Sequence, residues 1–398
     1  MLKQDIVREA TRLTQAGQLV EATALLQSML RGDNTPGKTF RAGDRIVLKA
    51  RDPLVIDGKA NIVEEKVSPQ VAPTATARPR ILGSFNRAGK ERAFGLRDPD
   101  KHTPLTSRDI MPDGARFIEG TYSNPAGSRS YKLFIPSGYQ DQPHPLIVML
   151  HGCTQSPEDF AAGTGMNFFA DEQKCFVIYP AQRREANQAK CWNWFRSSDQ
   201  RRDEGEPSLI AGITRKVMGD YSVDQNRVYI AGLSAGGAAA AVMGAMYSDL
   251  YAAIGVHSGL ACGAAVDLPS ALVAMRHGGR SHHLIQCDQP PVPTIIFHGD
   301  HDTTVHPKNG AQILEHAMKT SPQKELHRGQ IPGGHSYTRT VYSDASGSGI
   351  VEHWNIHGAG HAWSGGRPVG SYTDPRGPDA TREMLRFFLE HSISRQRG

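Results

Sequence analysis

Residues 228–249, VYIAGLSAGGAAAAVMGAMYSD, constrain the fold more than any other stretch of the chain. A run of β-branched and aromatic residues, which favour a strand, ends in Gly-Leu-Ser-Ala-Gly and passes at once into an Ala/Met-rich run, which favours a helix. A strand needs no serine between two glycines at its end, and glycines in a first turn weaken a helix. One reading is an ordinary βα turn that happens to match G-x-S-x-G. The other is a nucleophile elbow, a strained strand-to-helix turn that holds a serine Oγ clear of the backbone. The surrounding sequence decides between them.

Short continuous apolar runs recur along the chain: HPLIVMLHG (144–152), CFVIYPAQ (175–182), RVYIAGLS (227–234), AAIGVHSG (252–259) and PTIIFHGD (293–300). Strands buried on both faces have this character. SRSYKLFIP (128–136) alternates like a half-exposed strand, and VEHWNIHGAGH (351–361) reads as the last strand. Helical patterns separate them at about 207–220, 235–249, 307–319 and 378–391. Strands alternating with helices imply the α/β class, with an open, mostly parallel sheet and helices on both faces. Reactive loops in such sheets lie at the carboxyl ends of the strands.

The expected organisation is a helical hairpin over 1–33, an irregular linker over 34–110 and a catalytic domain over 111–392. In the hairpin, Ile6, Ala10 and Leu13 share one face, and Leu19, Ala22, Leu25, Leu26 and Met29 another. One helical pair cannot bury its own apolar face, so the hairpin is expected to dock on the main domain, a second copy or another partner. The linker is rich in Pro, Thr, Arg and Lys, with a short β element expected at DRIVLKA (44–50).

A net charge of +5 on 398 residues, with both signs interspersed, does not point to nucleic acid. The densest basic stretch, residues 77–97, reads as solvated linker. No apolar run approaches the length of a membrane span, and the first residues lack the apolar centre of a signal peptide. The expectation is a cytoplasmic protein without a membrane span. Five cysteines, at 153, 175, 191, 262 and 287, form no CxxC pair and suggest no zinc site, which favours free thiols.

Serine is a poor nucleophile at neutral pH and needs a base, which in turn needs an orienting acid. On this architecture the chain order is Ser, then Asp or Glu, then His. Ser234 ends one apolar strand, Asp300 and Asp302 follow another, and His361 lies in a glycine-flanked loop past a third. His357 and His335 are the rival bases, and Asp300 is the rival acid. An oxyanion hole requires two backbone N–H groups, one from the residue after the nucleophile. These are Ala235 and, from the loop after LIVML, Cys153. The Cys153 thiol has no evident base partner, so it is not the nucleophile.

HGCTQSPEDFA, CWNWF, GLSAGG, HGDHDTTV and GHAWSGG, in this order over roughly 113–392, resemble the polyhydroxybutyrate depolymerase family of esterases. That family is a branch of the α/β-hydrolases, related to feruloyl and acetylxylan esterases. The resemblance implies an α/β-hydrolase fold, with Ser234 as nucleophile, His361 as base and the Cys153 and Ala235 amides as the oxyanion hole. The D-x-x-V spacing used by similar hydrolases makes Asp302 the acid. Trp192, Trp194 and Trp363 are candidate apolar walls for the substrate. The loops holding Cys153 and Cys191 follow neighbouring strands, so a bridge between them is geometrically plausible if the compartment permits it.

The expected function is hydrolysis of short carboxylic esters, above all 3-hydroxybutyrate esters or oligomers, without metal or cofactor. Two alternatives stand beside it: a feruloyl- or acetylxylan-type esterase, and a non-catalytic granule or scaffold protein on a hydrolase fold.

Overall fold

The computed structural model describes residues 104–279, 291–318, 323–344 and 349–393. The expected hairpin, the linker up to residue 103 and Cys287 lie outside the described residues. A single helical turn, α1 (Ser107–Ile110), precedes the strands β1 (Arg116–Asn124), β2 (Gly127–Ile135) and β3 (His144–Leu150). Then come α2 (Pro157–Thr164), α3 (Met166–Glu172), β4 (Phe176–Pro180), α4 (Gly205–Asp220), β5 (Val223–Leu233) and α5 (Ala235–Met246). The chain continues through β6 (Ala253–His257), α6 (Leu268–His277), β7 (Thr294–Gly299), α7 (Lys308–Ala317), β8 (Gln323–Gln330), β9 (Ser336–Ser343) and β10 (Gly349–Ile356). Two short strands, β11 (Trp363–Ser364) and β12 (Thr373–Asp374), and a last helix, α8 (Ala380–Leu389), complete it.

Among the described residues, β1 to β10 form one sheet in the order β1-β2-β4-β3-β5-β6-β7-β10-β9-β8. The centre, β4-β3-β5-β6-β7-β10, is parallel, and antiparallel pairs extend it at both sides. The continuous apolar runs divide by the two-residue period of a strand. Leu146, Val148 and Leu150 of β3 join one core, while Ile147 and Met149 join the other. In β5, Val228 and Ile230 face the first core, and Tyr229, Ala231 and Leu233 face the second. Side chains of α4, α5, α6 and α7 fill the first core, and those of α2, α3 and α8 the second. Helices therefore cover both faces, as the alternating pattern implies.

Three strands of this sheet have no continuous apolar run and are not anticipated by it, and neither are the two-residue β11 and β12, which follow the strand read as the last. β1 and β8 are the sheet edges, where one side of the ladder faces solvent, and β9 lies next to β8. Edge strands bury little, so their sequence is free to be polar. The short helices α2, α3 and α6 are likewise not announced by the pattern.

One buried charge ties this side of the sheet together. Glu352 of β10 accepts from Arg339 of β9 (3.0 and 2.7 Å), from Arg386 of α8 (2.8 Å to each oxygen) and from Trp354 Nε1 (3.1 Å). Burial works to raise its pKa, but the two guanidinium groups outweigh it and hold the carboxyl below its usual range. A depressed carboxylate stabilises the fold above its unfolded pKa of about 4.3 and loses that contribution as pH falls through its lower folded value. Glu352→Gln should therefore cost about 1.5–3 kcal/mol at pH 7, because it leaves two partly exposed cations facing a neutral amide. Urea unfolding of both proteins across pH 7 to 3 should show the gap closing in acid. A gap that stays constant with pH would show that the loss is one of packing alone.

Candidate active site

Ser234 joins β5 to α5 with no intervening loop. Its backbone stands at φ 58° and ψ −118°, a region that residues with a Cβ seldom enter. Its N–H donates to the carbonyl of His257 at 2.9 Å. A Cβ on Gly232 would lie 2.3 Å from the Gly236 carbonyl carbon, and one on Gly236 would lie 2.0 Å from the Leu150 carbonyl oxygen. Bare backbone at both positions lets α5 start against the end of β3. The ordinary-turn reading of the pentapeptide needs none of this closeness, so the elbow is the better description.

β7 and β10 run parallel, two and three strands along from β5, and end beside one another with Gly299 opposite Ile356. A Cβ on Gly299 would stand 2.3 Å from the Ala359 carbonyl oxygen, so the loops after the two strands touch. In that contact His361 Nδ1 donates to Asp302 Oδ2 at 2.7 Å. The other carboxylate oxygen accepts from the N–H groups of Thr304 (2.9 Å) and Val305 (2.8 Å). Burial pushes the Asp302 carboxyl up, but His361 and the Val305 N–H outweigh it, and the net shift is downward. The acid is thus ionised at neutral pH, and Nε2 is the ring nitrogen of His361 left for chemistry.

The rivals are occupied elsewhere. Asp300 accepts from His357 Nδ1 at 2.9 Å and from the Gly358 N–H at 2.7 Å, which braces the start of the His361 loop. His357 Nε2 meets Thr338 Oγ1 at 2.9 Å. His335 bridges the His357 carbonyl (3.1 Å) and Asp374 (2.8 Å). Asp302 and His361 are brought together; Asp300 and His335 hold the frame around them.

The loop after β3 lies against the elbow, since a Cβ on Gly152 would stand 3.7 Å from Ser234 Cβ. Its three residues are tethered in three ways. The Gly152 N–H donates to Gln155 Oε1 at 2.9 Å, Cys153 is disulfide-bonded to Cys191, and the Thr154 N–H donates to the Ala189 carbonyl at 2.6 Å. The free-thiol expectation thus fails for this pair. Among the described residues, neither the Cys153 nor the Ala235 amide donates a hydrogen bond within the protein. The buried Gln155 also donates to Asp159 (3.0 Å) and to the Ser371 carbonyl (3.1 Å), linking this loop to the one beyond His361.

The three candidate tryptophans are buried. Trp192 and Trp363 are 0% and 1% exposed, and Trp194 is 6% exposed. Trp192 donates to the His151 carbonyl at 3.1 Å and Trp363 to Thr381 Oγ1 at 2.9 Å, so both are hydrogen-bonded core residues. Burial leaves little of these rings for a substrate to meet; an aromatic beside a loop of this kind serves equally well to seat it.

Two residues that the motifs do not reveal organise the site. His257, the last residue of β6, accepts the Ser234 N–H on its carbonyl and the Ser364 N–H on Nε2 (3.0 Å). Its ring stacks on Phe297 (5.7 Å) and Trp363 (5.1 Å), and burial lowers its pKa to about 3, so it is neutral. The buried Glu206 accepts from the Asn193 N–H (2.7 Å) and side chain (2.8 Å) and from Gln182, which shapes the CWNWF loop. A polar residue closing an apolar run, as in AAIGVHSG, is the signal that could have found His257.

Residues 129–322 match the family described as Esterase PHB depolymerase, a span that holds Ser234 and Asp302 and ends before His361. Poly(3-hydroxyalkanoate) depolymerase C of Paucimonas lemoignei is 32% identical over 262 residues, 62% of this chain and 60% of that protein. The chain therefore spans under two thirds of that relative. Feruloyl esterase B of Neurospora crassa is 28% identical over 282 residues, 67% of this chain and 89% of the relative. Among solved structures, an acetyl xylan esterase from Aspergillus awamori superposes with a TM-score of 0.53 at 18% identity, over 69% of this chain and 99% of that one. That likeness speaks for the fold, which is of the α/β-hydrolase type. With the motifs in order on such a sheet, residues 129–322 of this chain are similar to the Esterase PHB depolymerase family and to the depolymerase and feruloyl esterase relatives named above.

Proposed function

We propose that this protein is a serine esterase, in which Ser234 attacks an ester carbonyl and His361 Nε2 takes its proton. The observation that carries the reading is the 2.7 Å bond between His361 Nδ1 and Asp302, on a sheet that also presents the elbow serine. Asp302 fixes the imidazole tautomer and stabilises the imidazolium as the tetrahedral oxyanion forms. The Cys153 and Ala235 amides hold that oxyanion, helped by the positive end of α5. His361 returns the proton to the departing alcohol. Water, deprotonated in turn by His361, then releases the acid and restores Ser234.

The substrates we favour are short 3-hydroxyalkanoate esters or their soluble oligomers. Support comes from the family and from the loops around the site, which are polar and glycine-rich among the described residues. The likeness to a feruloyl esterase over 89% of its length supports the second reading, esters of plant origin. A panel of methyl hydroxyalkanoate, feruloyl and acetylated-sugar esters separates the two.

Ser234→Ala removes one hydroxyl and should lower kcat by at least about 10⁴-fold while leaving the melting temperature in place. A fluorophosphonate probe should label the parent protein on Ser234 and spare the variant. Unlabelled parent protein would favour the scaffold alternative. Asp302→Asn should slow turnover about 10⁴-fold, since the amide favours the wrong tautomer. Asp300→Asn, which loosens only the frame, should cost about tenfold or less; the reverse order would make Asp300 the acid. Each methylene that enters an apolar groove contributes up to about 0.8 kcal/mol, so a lipase-like groove would make rates rise with chain length. Here kcat/KM for p-nitrophenyl esters should peak at roughly C2 to C4 and fall by C8. A preference for C10 or longer would overturn the short-chain reading.

A further inference from the structure

Two non-glycine residues in the left-handed backbone region meet at the rim of this site. Thr154 stands at φ 67° and Tyr372 at φ 52°, and their hydroxyl oxygens are 3.3 Å apart. For a β-branched or bulky side chain this region is an outlier, and such residues persist only where their surroundings hold them. Both are held. Thr154 lies between the bridged Cys153 and the buried Gln155, with its N–H on the Ala189 carbonyl at 2.6 Å. Tyr372 follows Ser371, whose N–H donates to Asp159 at 2.9 Å, and its own carbonyl accepts from the Trp363 N–H at 2.7 Å.

The hydrogen-bond directions then follow. Thr154 Oγ1 donates its only proton to the Cys153 carbonyl at 2.6 Å. Toward Tyr372 it can only accept, so the phenol is the donor across the 3.3 Å gap. That is long for an O–H···O bond, whose ordinary length is about 2.7–2.8 Å. The Tyr372 proton is therefore weakly engaged and available to a better acceptor. The phenol is half-buried, so such an acceptor would arrive partly shielded from water.

We propose that Tyr372 is a specificity-determining residue that donates a hydrogen bond to an oxygen on the acyl chain of the substrate and so selects 3-hydroxyacyl esters over plain alkanoyl esters. The inference rests on the esterase reading given above. The Cys153 amide is the proposed donor to the carbonyl oxygen, and the next residue, Thr154, holds the Tyr372 phenol against that same loop. A 3-hydroxyl, or the ester oxygen that replaces it in an oligomer, is carried two carbons along the acyl chain from the scissile carbonyl carbon and offers the phenol an oxygen acceptor. A plain butyryl chain offers a methylene there and leaves the phenol on Thr154.

Tyr372→Phe removes one oxygen and keeps the ring that fills the loop. The test measures kcat/KM for methyl 3-hydroxybutyrate and methyl butyrate by pH-stat, with the full chain and the variant. The ratio of the two should fall about tenfold in the variant, with methyl butyrate unchanged within about twofold. Stoichiometric labelling of Ser234 by the fluorophosphonate and an unchanged melting temperature should accompany it. An active, fully labelled variant whose ratio is unaltered, or that loses both substrates equally, would overturn the proposal alone. So would a selective loss on an acetylated sugar ester, which would put the phenol on the alcohol side. Persistent turnover by Ser234→Ala, in contrast, would overturn the esterase reading beneath it.

Discussion

The site depends on the closeness of α5 to the end of β3. The Leu150 carbonyl oxygen occupies the place where a side chain on residue 236 would have to stand, and residue 232 faces Gly236 in the same way. With glycine at both positions, the first turn of the helix begins on top of the strand end. That contact forces Ser234 into its unusual backbone conformation and brings the Gly152–Thr154 loop beside it. Any side chain there would push the helix outward, away from the end of β3.

His257 extends this constraint to the other half of the site. Its carbonyl receives the serine N–H, its ring nitrogen receives the Ser364 N–H, and its faces meet Phe297 of the strand that leads to Asp302 and Trp363 of the loop that carries His361. One neutral imidazole therefore touches the element of each proposed triad member. A charged ring could not accept on Nε2, so the burial that keeps it neutral is part of the arrangement. The braces further out, Asp300 with His357 and Gln155 with Asp159 and Ser371, hold the two flanking loops in the same way.

Of the eight non-glycine residues with positive φ among the described residues, Ser234, Ser258, Thr154 and Tyr372 lie in or beside a loop around the site. Such conformations are retained when packing and hydrogen bonds on both sides leave no alternative. The disulfide at Cys153 and the buried Glu206 behind the CWNWF loop supply that support from the β4 side of the sheet.

The amino-acid sequence by itself determined the central strands, because burial on both faces demands continuous apolar runs. It also determined the elbow, because only glycines fit so near a neighbouring backbone, and the order Ser234, Asp302, His361 at strand ends. It left the edge strands β1 and β8 and the adjacent β9 unmarked, since a strand that buries little can be polar. Which histidine Asp300 and Asp302 each meet, three residues or fewer from the same strand end, was decided by tertiary structure: β7 and β10 bring their loops into contact, and Asp300 finds His357 while Asp302 finds His361. The same holds for the tryptophans. An indole near a reactive loop reads alike whether it faces substrate or core, and only the packing of Trp192 against His151 and of Trp363 against His257 and Phe160 settled that these face the core.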